Sequence, residues 1–136
     1  MRITKAGLAG TLLGALILGI LAVALSHAVA APAPTGTKTI VGEVVDPACW
    51  IINGAHGETH KECAIACAKA GQTLAILEKK TNRLYILASE KPGEDPNKGI
   101  IDFIAQNVTV TGKVYSRQGA WGIQVTSIEP AGRVTK

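Results

Sequence analysis

From Val108 to Ile128 apolar and polar residues alternate twice, once on each side of Arg117-Gln118-Gly119. Val-Thr-Val-Thr-Gly-Lys-Val-Tyr enters this turn and Trp-Gly-Ile-Gln-Val-Thr-Ser-Ile leaves it. A period of two sends successive side chains to opposite faces of a strand, so the pattern predicts a long antiparallel hairpin with one buried face. A lone hairpin is barely stable in water. The rest of the chain must therefore supply the strands that cover that face.

Three further strands are legible. Thr39 to Val45 alternates and contains Gly42, which permits a bend or bulge, and Asp46-Pro47 ends it. Leu74 to Leu77 and Leu84 to Leu87 flank Glu78-Lys79-Lys80-Thr81-Asn82-Arg83, a second hairpin by composition and loop length. Ser89 to Lys98 is rich in Gly, Pro and charge and reads as a surface loop, and Gly99 to Gln106 as a short amphipathic helix carrying Ile100, Ile101, Phe103 and Ile104. Glu58 to Ala70 reads as an alanine-rich helix with Thr59 as N-cap, Glu62 completing a capping box, and Gly71 as C-cap. The predicted fold is mainly β. It is a five-stranded OB-fold-like Greek-key barrel, with a Cys-bearing helix inserted between strands 1 and 2 and a short helix between strands 3 and 4.

Met1-Arg2-Ile3-Thr4-Lys5 carries two positive charges, and Ala6 to Leu25 carries none of either sign. This is the pattern of a Sec-type export signal, with Ala28-Val29-Ala30 as a small-x-small cleavage site. The apolar run also approaches the roughly 20 residues that span a bilayer, so an uncleaved anchor is the alternative, and only then is the membrane a partner. The expected organisation is signal 1–30, Ala/Pro linker 31–37, OB-like domain 38–130 and tail 131–136, with the domain on the periplasmic or extracytoplasmic side. Losing residues 1–30 takes Lys+Arg from 14 to 12 against ten acids, so the net charge falls from +4 to +2. The remaining basic residues are interleaved with acids and form no phosphate-binding patch, which argues against nucleic acid as a partner.

The chemistry-bearing residues are concentrated. Cys49, His60, Cys63 and Cys67 lie within 19 residues of an exported chain and include all three of its cysteines. On a helix, His60, Cys63 and Cys67 share a face within about 60° of arc. Three thiols and an imidazole make a Cys3His donor set suited to Cu(I) or Zn(II). Cu(I) is preferred, because a three-coordinate soft site needs only three of the four ligands. The sole methionine is Met1, which removes the axial ligand of a blue-copper electron-transfer site. Ala68 follows Cys67, so the C-x-x-C-H pattern of covalent haem is missing.

Two other uses of the thiols stay open. A disulfide from Cys49 to Cys63 or Cys67 would close a loop of about 14 to 18 residues and stabilise the domain by on the order of 3 kcal/mol. Thiol-redox exchange is the third use, with Cys63 near a helix start, though neither a C-x-x-C motif nor a β-α-β order accompanies it.

Taken together, Gly42-Glu-Val-Val-Asp46, Cys49-Trp50, His60-Lys-Glu-Cys63-Ala-Ile-Ala-Cys67 and Val110-Thr-Gly-Lys-Val114 carry a resemblance. Over roughly residues 38 to 129 the chain resembles small exported bacterial proteins of uncharacterised function that have an OB-fold-like domain and an H-x2-C-x3-C helix. Its second half is similar to the bacterial OB-fold family of periplasmic proteins. The resemblance implies fold and location, and it carries no activity onto any residue.

Several other residues have ordinary readings. His56 is read as exposed, Glu43, Glu58 and Glu62 as solvated charges, Trp50 and Trp121 as packing, and Asp46 as the residue that shapes the turn after the first strand. No Ser/His/Asp set, phosphate loop or carboxylate pair is present, so no catalytic residue is assigned. The expected function is noncatalytic metal binding, as a carrier or sensor with a metal ion and a periplasmic protein as partners. The alternatives are a disulfide-stabilised binding module for a protein or small ligand, and a thiol-redox protein.

Overall fold

The structure is a computed structural model that describes residues 35–132. In chain order it contains β1 (Gly36–Val45), α1 (Pro47–Asn53), a 3-10 turn (Glu58–His60), α2 (Lys61–Lys69), β2 (Ala75–Glu78), β3 (Leu84–Leu87), a second 3-10 turn (Ile101–Phe103), β4 (Asn107–Arg117) and β5 (Ala120–Pro130). The expected signal, its cleavage site and most of the linker lie outside the described residues.

The five strands close a barrel in the order β1-β2-β3-β5-β4, with β4 returning to β1. Every strand pair is antiparallel except β3 with β5, where Ile86 faces Gly122 and Leu87 faces Ile123 in parallel. The alternation predicted for the long hairpin is realised: Val108, Val110 and Val114 of β4 and Ile123 of β5 point inward at 0 % exposure. They meet Ile40 and Val44 of β1, Ile76 of β2, and Tyr85 and Leu87 of β3 in one core. Gln118 and Gly119 both have positive φ, the requirement of the tight turn joining β4 to β5.

Gly42 is the corner of the barrel. β1 pairs with β4 from Gly36 to Glu43 and with β2 from Gly42 to Val45, so the strand changes partners at this residue. A Cβ at Gly42 would collide with the carbonyl oxygen of Leu77, and one at Gly112, where β4 shifts register, with that of Gln124. Glycine is needed at both close approaches.

The structure corrects four readings of the sequence. The linker ends earlier than residue 37, because Gly36 and Thr37 already pair with Val114 and Lys113. The helix expected over 58–70 is α2 alone, preceded by a 3-10 turn; Thr59 is not its cap, and His60 occupies that position without a side-chain bond. The helix expected over 99–106 shrinks to Ile101–Phe103, because Ile104, Ala105 and Gln106 leave the helix to run beside Val44. Finally, α1 was not anticipated at all. The loop 89–98 is tied down by Asn97, a buried side chain that accepts from the Leu74 amide at 2.9 Å and donates to the Gln72 carbonyl at 2.7 Å.

Candidate metal centre

Two short helices over one end of the barrel bring the chemistry together. α1 begins at Pro47, whose missing N–H costs nothing in a first helical turn. Asp46 is its N-cap: Oδ1 accepts from the amides of Ala48 at 2.9 Å and Cys49 at 3.3 Å. Capping fixes Cys49 one turn into the helix. Gly54 ends α1 in the left-handed conformation, its N–H returning to the carbonyls of Cys49 and Trp50. Trp50 packs on the small cluster of Val45, Ala75 and Leu77.

α2 docks through Ala64 and Ala68, two small residues four apart that let the helix approach the barrel closely. Cys63 and Cys67, also four apart, stand on the adjoining stripe. The helix ends in a Schellman arrangement, with Gly71 N–H donating to the Ala68 carbonyl and Gln72 N–H to that of Cys67. Gly71 serves there as expected, with φ of 99°.

The potential ligands fall into two triads that share Cys49. The sulfur atoms of Cys49, Cys63 and Cys67 lie within 4.8 Å of one another, and so do ligand atoms of Asp46, Cys49 and His60. All three cysteines are free thiols; Cys63 is exposed, and Cys49 and Cys67 are half-buried. The sequence proposes Cys49, His60, Cys63 and Cys67 as one donor set; the structure groups His60 with Asp46 and Cys49 and not with Cys63 and Cys67. Asp46, read from the sequence as a turn residue, is in the second group of potential ligands, and nothing in a linear Asp-Pro shows that its free carboxylate oxygen is buried.

Asp46 is 1 % exposed. Among the described residues its Oδ2 has no hydrogen-bond partner of ordinary geometry, and the same is true of the buried Nε2 of His60. Burial alone would raise the Asp46 pKa. The Cys49 amide, the Cys67 and Cys49 thiols and the Ala48 amide outweigh burial and hold it below its ordinary value. The thiols respond in the opposite sense. Cys67 is pushed up to about 11, first by its hydrogen bond to Asp46, then by burial and by the charges of Asp46, Cys63 and Cys49. Cys49 is raised by burial, then by Asp46 and Cys63. In the metal-free protein these two thiols keep their protons around neutral pH.

A second layer orients the loop that delivers His60. Glu43, on β1, is not the solvated charge expected: its side chain is only 16 % exposed. It accepts from Gly57 N–H at 2.6 Å and pairs with Nδ1 of His56 at 3.1 Å. His56, though 49 % exposed, is thus an anchor for the loop. Gly57 in turn accepts from the His60 amide at 3.0 Å. These bonds fix the loop from His56 to His60 against β1.

The cluster can hold a metal ion. Zn–S bonds of about 2.3 Å place two thiolates on one ion nearly 4 Å apart, so side chains already this close need only small rotations to converge. No family model, curated protein or solved structure matches the chain.

Proposed function

We propose that the protein is an exported, noncatalytic carrier or sensor of a thiophilic metal ion, held as Cu(I) by Cys49, Cys63 and Cys67. The observation that supports this best is the convergence of the three sulfur atoms within 4.8 Å, with one of them, on Cys63, open to solvent. Cu(I) is satisfied by three thiolates. Three thiolates leave Zn(II) one donor short of its usual four, a place that Asp46, His60 or a water would fill. The exposed thiol is the natural point for ligand exchange with a periplasmic partner protein, since an incoming donor can reach the ion there without unfolding the site.

Metal uptake must displace the protons that Asp46 helps to hold on Cys49 and Cys67. The same raised pKa values weigh against thiol-redox work, which depends on a thiolate at neutral pH. A disulfide from Cys49 remains the competing use of the same sulfur atoms.

Elemental analysis with thiol counting, on protein purified in reducing buffer, tests the reading. Copper bound to the wild type, three titratable thiols after chelation, and loss of copper in Cys49→Ser, Cys63→Ser and Cys67→Ser are the expected results. Failure to take up either Cu(I) or Zn(II) would falsify it. A single titratable thiol in denatured, non-reduced protein would make the cluster a structural staple.

A further inference from the structure

Among the described residues, two buried side-chain nitrogen or oxygen atoms lack a hydrogen-bond partner of ordinary geometry: Nε2 of His60, and Oδ2 of Asp46, whose carboxylate is met only by the Ala48 and Cys49 amides on Oδ1 and by the Cys67 and Cys49 thiols. Buried polar atoms are normally paired. Asp46 and His60 belong to the same triad, and both line one small cavity, of about 10 Å³, with Val44, Ala64 and Ile104 among its apolar walls. A carboxylate oxygen, an imidazole nitrogen and the Cys49 sulfur lie within 4.8 Å of one another beside this cavity, and among the described residues no cation is paired with the acid. Their chemistry differs from that of the cysteine triad, because oxygen, nitrogen and a single sulfur form a borderline set that suits Zn(II) better than Cu(I).

We propose that Asp46, Cys49 and His60 form a second metal position, for a divalent ion of the Zn(II) class, and that the Cys49 thiolate bridges it to the ion on Cys49, Cys63 and Cys67. Cys49 is the residue common to both triads, as a bridging ligand must be. Charge favours the pair. Three thiolates and the Asp46 carboxylate carry four negative charges, of which Cu(I) cancels one and a divalent neighbour two more, and unbalanced charge is costly at a buried carboxylate. The position is also supported from outside, since Glu43 fixes the loop through Gly57 and His56 and so sets where His60 enters. The bridge rests on the copper reading above; the Asp46–Cys49–His60 position does not.

The test loads the full chain with one equivalent of Cu(I) under anaerobic reducing conditions, titrates Zn(II), and counts both metals by native mass spectrometry. One copper and one zinc per chain are expected in the wild type. His60→Gln and Asp46→Asn should keep copper and lose zinc affinity on the order of 10-fold or more. Asn retains a capping oxygen, and circular dichroism verifies that both variants fold. Cys63→Ser should lose copper and keep zinc. X-ray absorption at the zinc edge should show a mixed shell with one sulfur. Zinc that binds both variants as well as the wild type, or that displaces copper into an all-sulfur shell, overturns the proposal. If copper fails to bind while one zinc is held by the wild type and Cys63→Ser and lost in His60→Gln, the second position stands and the copper reading falls.

Discussion

In the β4–β5 hairpin the fully buried side chains are apolar, with Val108, Val110, Val114 and Ile123 at 0 % exposure, whereas the connection from β1 to β2 buries a carboxylate, Asp46, at 1 %. The hairpin pairs backbone with backbone along its length, from Val108 against Pro130 to Arg117 against Ala120. The connection uses its polar groups in caps and loop anchors and, among the described residues, leaves Asp46 Oδ2 and His60 Nε2 without partners of ordinary geometry. One region buries only apolar side chains at its centre, and the other buries donors that could hold a metal ion. Both share the barrel core, because Ala64 and Ala68 of α2 pack into the same cluster as the hairpin valines.

Breaking the hairpin should produce the largest effect. Ile123→Ala removes a fully buried side chain at the β3–β5 closure, and a loss of about 2–5 kcal/mol is expected in denaturant unfolding. Molecules that remain folded should still take up metal through the cysteine triad. If the connection is separable in this way, copper bound per folded chain will not change; a parallel fall in both would join the two regions.

Asp46→Ala attacks the other region. Loss of the cap on α1 should cost about 1 kcal/mol. The Cys67 thiol should meanwhile titrate at lower pH, since its strongest perturbing partner is gone. Thiolate absorbance followed against pH reads this second effect, which a purely structural role for Asp46 would not produce.

The pH dependence of stability sharpens the contrast. Cys67 has a folded pKa of about 11 against 9.0 for an unperturbed thiol, so the native state binds more protons than the unfolded state between these values. The contribution is present below pH 9 and is lost as pH rises towards 11. The metal-free wild type should show a falling denaturant midpoint across that window, and Cys67→Ser should flatten it. Because Cys67 is only half-buried, screening keeps the effect modest. A midpoint that rises with pH there would contradict the assignment.

The smallest effect belongs to the loop anchor. His56→Ala breaks an exposed pair with Glu43 and should change global stability by less than about 1 kcal/mol. Hydrogen exchange at Gly57 and His60 should quicken, with the β4 amides unaffected.

The contrast also explains what could be read in advance. The β4–β5 pattern was legible because period-two alternation comes directly from strand geometry, and the five-strand order followed from counting such segments. Gly71 at the helix end and the Gln118-Gly119 turn were legible for a similar local reason, as both need positive φ. The α1 helix was not. Pro47 to Asn53 contains Trp50, Ile51 and Ile52 at positions that fit a strand or a loop equally well, and the cap that starts it depends on where the Asp46 side chain turns. The 99–106 segment failed as a helix because tertiary pairing of Ala105 with Val44 overrode its amphipathic pattern.

The donor inventory, three thiols and a histidine on a small β-rich chain, is a property of the sequence alone. So is the barrel, since strand periodicity and turn residues act over a few positions and need no distant partner to be recognised. How the donors are grouped is different. Cys49 and Cys63 are separated by 13 residues that include a helix, a loop and a 3-10 turn, and their distance is set by how α1 and α2 cap and dock on the barrel. Asp46 joins the site, and His60 sits beside it, because burial of Oδ2 and Nε2 is decided by walls contributed from β1 and from Ile104 and Ala105. Local rules govern which way a chain bends at each residue; which polar atoms end up buried without partners depends on every element that closes around them.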